Sequence, residues 1–114
     1  MMYGLEVKLR VSGPLDTIAD HVDVVTQELA KLESCTPELL DFTVGLTVSE
    51  RLVEIEMTVE ADFAEDAPKV GLGCARTAIH AAGGSTPDWE RSETKDSVHI
   101  YTFDSQEMRQ LAVA

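Results

Sequence analysis

The sequence predicts an α+β protein, a ferredoxin-like β-α-β-β-α-β sandwich in which a four-stranded antiparallel sheet carries two helices on one face. Three observations predict it. Apolar and polar residues alternate in three separate stretches, the pattern of half-buried strands. One long segment repeats its apolar residues at helical spacing. The order of these elements is that of the split β-α-β motif. The chain has 114 residues, a length that suits one core.

The first strand is Tyr3 to Val11. Tyr3, Leu5, Val7, Leu9 and Val11 fall on one face, with Glu6, Lys8 and Arg10 on the other. Ser12-Gly13-Pro14 breaks it, and Pro14 suits the first turn of a helix. The first helix runs from about Pro14 to Glu33. Leu15, Ile18, Val22, Val25, Leu29 and Leu32 recur at intervals of three and four and form one stripe. Burying six such side chains is worth roughly 9–18 kcal/mol before ordering entropy is subtracted. Asp20, His21 and Asp23 are assigned to the solvated side of this helix.

Cys35-Thr36-Pro37 ends the helix. The second strand, about Leu39 to Val48, points Leu40, Phe42, Val44, Leu46 and Val48 inward. The third, about Leu52 to Ala61, does the same with Val53, Ile55, Met57 and Val59. Matching the apolar faces pairs Val48 with Val53, Leu46 with Ile55 and Val44 with Met57. Glu50-Arg51 lacks the Gly or Asn of a tight hairpin turn, so a longer loop is the alternative. The second helix starts either at the Asp62-x-x-Glu65 capping box or at Asp66 with Pro68 in its first turn, and stops at Gly83-Gly84. Gly71 and Gly73 within it are read as close-approach positions.

Ser85 to Asp96 is polar, with Trp89 read as the start of a short strand. The last strand is Ser97 to Phe103, with Val98 and Ile100 inward and His99, Tyr101 and Phe103 on the opposite face. The domain is drawn at residues 1–104, and 105–114 as a tail or short helix. The strand order expected is four, one, three, two.

Charge narrows the function. The formal net charge is -12, from 9 Lys plus Arg against 21 Asp plus Glu. Nucleic-acid binding requires clustered cations against phosphates, and anionic membrane surfaces require the same, so neither partner is expected. The N-terminal residues have no apolar run of a secretion signal, and no stretch is long enough to span a membrane. Cys35 and Cys74 form neither a CxxC nor a zinc-ligand spacing. A cytoplasmic setting with both thiols reduced is the expectation.

Motifs for catalysis are sparse. His21, His80 and His99 lack metal-ligand spacing, so no metal is expected. Gly71-Leu72-Gly73 follows a helical start rather than a strand and does not form a dinucleotide loop. Cys74 lies on an apolar helical stripe, where a thiol is inert. No catalytic residue and no cofactor are assigned.

The face the helices leave bare provides the candidate site. Its residues are Lys8, Arg10, Glu54, Glu56, His99, Tyr101 and Phe103, with Lys8 and Arg10 pairing across to Glu54 and Glu56 and Arg10 stacking on Tyr101 or Phe103. The leading expectation is a non-enzymatic interaction or assembly module working as a homodimer or with a protein partner, the exposed edge of the second strand being one surface that could pair. A second is a small-ligand sensor. The topology resembles amino-acid-binding regulatory domains, and that resemblance implies a ligand carboxylate at the Ser12-Gly13-Pro14 turn. A third is an enzyme of the dimeric α+β-barrel kind, whose subunits join open faces around a cavity, with His99, Tyr101 and Glu6 as acid–base groups.

Overall fold

The computed structural model describes residues 1–87 and 99–111. Trp89, Val98 and the start of the last strand at Ser97 lie outside them. The elements are β1 (Met2–Ser12), α1 (Leu15–Cys35), β2 (Leu39–Thr47), a 3-10 turn (Val48–Glu50), β3 (Leu52–Glu60), α2 (Asp66–Ala81) and β4 (Ile100–Gln110). The sheet order is β2-β3-β1-β4, every pair antiparallel. This is the α+β sandwich expected, with the expected strand order.

Alternation in β1 is kept without a break: Tyr3, Leu5, Val7, Leu9 and Val11 are buried beneath the helices. In α1 the stripe is narrower than its spacing suggests. Ile18, Val22, Val25 and Leu29 are buried and Leu32 is partly so, but Leu15 is 52% exposed. Leu15 is the first helical residue, beyond the reach of the sheet. Four fully buried side chains correspond to roughly 6–12 kcal/mol gross.

The β2–β3 register differs from expectation by two residues. Leu46 faces Val53, Val44 faces Ile55 and Phe42 faces Met57. Val48 is drawn into the 3-10 turn, which ends at Arg51 with φ 53, so the longer loop is the one formed. A slip of two leaves each side chain on its own face. The loop is tied down by Arg10 Nη1, which donates to the Glu50 carbonyl at 2.9 Å, and by Arg51 Nη1, which donates to the Gly13 carbonyl at 2.8 Å. At its other end β2 is irregular between Leu39 and Asp41. Leu39 is therefore the buried residue and Leu40, expected inward, is 40% exposed.

α2 begins at Asp66 with Pro68 in its first turn, and no side chain caps it. Gly71 is a close-approach position: a Cβ there would collide with Leu5 Cδ1 and lie 3.1 Å from Met57 Cε. Gly73 is not, since a Cβ there would meet nothing within 4 Å. Gly83, just past the helix, has φ +85, the left-handed stop glycine permits. Cys74 is buried, and burial first, then the fields of Glu38 and Cys35, push its thiol up. Both cysteines are free.

The largest correction is in β4. The strand runs on to Gln110, so residues 105–110 are sheet and not a tail or helix. They pair with Tyr3–Lys8 of β1. A bulge interrupts the pairing: Lys8 faces Ser105 while Leu9 faces Phe103, leaving Asp104 as the extra residue. One inserted residue reverses the faces on either side of it. Tyr101 thus pairs with Val11 on the helix side, whereas Glu107 and Arg109 pair with Glu6 and Gly4 on the bare side.

Candidate functional site: an open-face groove and a histidine–tyrosine network

Two polar constellations stand on opposite faces of the sheet. The first is on the bare face. Glu6 sits between Glu56 of β3 and Glu107 of β4 in direct register, so three carboxylates stand abreast at the strand spacing of about 5 Å. In the next row Gly4 lies between Thr58 and Arg109. Gly4 has no side chain, and the hollow it leaves opens into a groove of about 310 Å³ lined by Gly4, Glu6, Glu56, Thr58, Glu107 and Arg109 among others. Lys8 Nζ lies 3.7 Å from Glu6 Oε1. Like charges directly opposite destabilise a sheet by tenths of a kcal/mol, so this row is a cost in stability that the fold carries.

The second constellation lies under the helices, where α1, the end of α2 and the start of β4 meet. His21 Nε2 is 3.0 Å from the Ala82 carbonyl, and His21 Nδ1 is 2.8 Å from the Tyr101 hydroxyl. A carbonyl only accepts, so Nε2 carries the proton. In the neutral ring Nδ1 then accepts from Tyr101. Thr17 donates its hydroxyl to the Pro14 carbonyl at 2.9 Å, leaving its oxygen to accept from His99 Nε2 at 2.9 Å. The His21 and His99 rings stack, 4.1 Å between centroids. Burial, then the neighbouring His99, hold the His21 imidazole below its usual range despite the Ala82 carbonyl, which favours the charged form. Burial pushes the Tyr101 phenol up. The network therefore rests with both groups neutral near pH 7.

Ser85 closes this corner. Its amide donates to the His99 carbonyl at 3.0 Å and its carbonyl accepts from the Tyr101 amide at 2.8 Å. Gly84 lets the chain pass, since a Cβ there would lie 2.8 Å from Ile79 Cγ2 and 3.0 Å from His21 Cε1. His80 Nε2 and Thr86 Oγ1 are 2.8 Å apart beside it.

Of the expected site residues, Lys8, Arg10, Glu54 and Glu56 are on the bare face. Glu54 stands opposite Lys8 in register, yet the ion pair Lys8 makes is with Glu6 on its own strand. Arg10 lies 4.0 Å from the Asp104 carboxylate. Tyr101 and His99 are not on that face. Tyr101 is fully buried beneath the helices, and His99 joins it there. Phe103 pairs with Leu9, a helix-side residue, and is 39% exposed at the sheet edge. Arg10 therefore cannot stack on Tyr101, and Glu6 cannot work with His99 and Tyr101 as one acid–base set. His21, expected on the solvated side, is instead at the centre of the network. Its spacing of three from Ile18 and four from Thr17 was the available signal. Glu107 and Arg109 were also missed, because the residues after 104 were not read as strand. Among the described residues no group of three or more His, Cys, Asp or Glu is arranged to hold a metal ion, and no helix is long and apolar enough to cross a membrane.

No protein-family model matches the chain, and no curated protein matches it. Solved structures do. A provisionally named antibiotic biosynthesis monooxygenase from Chloroflexus aurantiacus J-10-fl aligns with a TM-score of 0.55 at 16% identity, over 100% of this chain and 96% of that one. Another so named, from Caulobacter crescentus CB15, aligns with a TM-score of 0.55 at 18% identity, over 98% of this chain and 91% of that one. At such identity the likeness establishes the ferredoxin-like fold. These neighbours also overturn the expectation of a non-enzymatic assembly module. Both carry the names of enzymes, and the aromatic part of the surface on which that expectation rested is turned to the other face of the sheet.

Proposed function

We propose that this protein binds a small organic molecule in the groove over Gly4 and acts on it as an enzyme. The carrying observation is the hollow itself: on the central strand of the bare face, Gly4 leaves room between Thr58 and Arg109, and ionisable groups surround it. Concave sites with a few convergent polar groups are where small ligands bind. Glu6, Glu56 and Glu107 supply the acid–base groups. The neighbours' names make oxygenation the reaction class to test first. The proposal includes a homodimer, supported by β2 lying at an edge of the sheet, and a cytoplasmic setting, supported by two free cysteines.

Gly4→Val tests this. A Cβ at Gly4 would meet Leu111 Cδ2 at 3.4 Å, Arg109 Nε at 3.6 Å and Arg109 Cγ at 3.7 Å, ordinary contacts with movable side chains, and Val favours a strand. The variant should fold while filling the hollow. A library of small organic acids, amines and phenols is screened against both proteins by amide chemical-shift mapping. Hits on the wild type that move residues 4, 6, 107 and 109 and vanish in Gly4→Val are expected. The same hits on both proteins would refute the groove as the site.

A further inference from the structure

The groove holds charges of both signs, and they lie in separate rows. Arg109 belongs to the Gly4 row and Glu107 to the Glu6 row. The rows are two residues apart along β1, about 7 Å. Arg109 is exposed and makes no ion pair among the described residues. Neither Glu56 nor Glu107 makes one, and Glu6 shares the single ammonium of Lys8. At the Arg109 end the floor is Gly4, which has no side chain of its own; the Arg109 and Leu111 side chains flank the space above it, within 3.4–3.7 Å of where a Cβ would stand.

We propose that the groove selects a small zwitterion, an ω-amino acid or a close relative with an amine at one end and a carboxylate at the other. The ammonium sits on the Glu56–Glu6–Glu107 row, the anionic end takes the Arg109 guanidinium, and the short carbon chain crosses Gly4 along β1. This rests on the groove being the ligand site. Charge decides the class. A simple anion would meet four carboxylates, those of the row and Asp41 of β2, for one guanidinium, and a simple cation would leave Arg109 unanswered. Only a ligand with both ends answers both rows, and a carboxylate can take the guanidinium through two parallel hydrogen bonds.

Three compounds of one chain length separate the possibilities: 5-aminopentanoate, pentylamine and pentanoate, each titrated into the full chain and followed by amide chemical shifts. 5-Aminopentanoate is expected to bind about tenfold more tightly than either single-ended compound, as an added charge-assisted contact implies, moving residues 4, 107 and 109. Arg109→Gln should bring it level with pentylamine, and Glu107→Gln should weaken both amines while sparing pentanoate. Equal binding of pentylamine and 5-aminopentanoate to the wild type, preference for pentanoate, or no binding by any of the three would overturn the inference. If other library compounds still occupy the groove and are lost in Gly4→Val, the site stands and only its assigned class fails. If nothing distinguishes Gly4→Val from wild type, the site itself fails.

Discussion

The Tyr101 hydroxyl donates to His21 Nδ1 at 2.8 Å, and that single bond joins the start of β4 to the first half of α1. Eighty residues separate the two in sequence. The acceptor nitrogen is dictated by the opposite side of the ring, where Nε2 is committed to the Ala82 carbonyl. One imidazole thus holds three elements together.

Removing the hydroxyl should be costly out of proportion to its size. Tyr101→Phe keeps the buried ring but leaves His21 Nδ1 without its donor. The acceptor is partly buried, so stranding it costs about 1 kcal/mol, the low end for an unsatisfied group. Urea denaturation should show a lower midpoint with an unchanged slope. An unaltered midpoint would mean the bond contributes nothing net.

Acid should weaken the same corner. His21 is held below its ordinary value of 6.5, burial being the larger cause and His99 the second. The unfolded chain therefore takes up a proton at His21 before the folded protein does. Stability from this group is present above about pH 6.5 and is lost as pH falls from there toward the folded value. Protonation also converts Nδ1 to a donor, which the Tyr101 hydroxyl can meet only by turning its own proton elsewhere. Urea midpoints at pH 7.5 and pH 5.5 should differ, and His21→Gln should reduce the difference. An imidazole titration placing His21 above 6.5 would reverse the sign.

Two glycines of α2, two residues apart and therefore on opposite sides of the helix, should respond oppositely. Gly71→Ala drives a methyl into Leu5 and Met57, overpacking that costs about 1–3 kcal/mol. Gly73→Ala meets open space and should stabilise α2 by about 1 kcal/mol through helix propensity. Thermal melts of the two variants read the contrast directly. A gain in both would mean α2 can move off the sheet.

The apolar stripe of α1 gives a further contrast. Leu29 is fully buried and Leu15 is half exposed. Leu29→Ala should cost about 2–5 kcal/mol, whereas Leu15→Ser, lying outside the packed stripe, should stay within about 0.5 kcal/mol. Equal losses would show that Leu15 is covered in solution, and sedimentation would then identify a second copy as the cover.

Side-chain periodicity is local, and what is local was legible. The alternation from Tyr3 to Val11 and the stripe from Ile18 to Leu29 follow from the geometry of a strand and a helix, so they announce which faces are buried wherever the elements lie. The element order carried the topology with them. The slip of two residues at β2–β3 escaped because it leaves every face unchanged. The position of Tyr101 escaped for a different reason: Val98 and Ile100 are the aliphatic residues of that stretch and point the alternation the other way, and only pairing with Val11 turns Tyr101 inward. The bulge at Asp104 then exchanges the faces, and nothing in the residues around it marks an insertion until the partner strand is present to pair. Hydrophobic pattern by itself therefore determined the sheet, the helices and the existence of a bare face. Pairing with β1 decided which residues of β4 look out onto it. It turned Tyr101 and His99 inward to His21 and brought Glu107 and Arg109 to the edge of the hollow at Gly4, because register is a property of two strands and cannot be held in one.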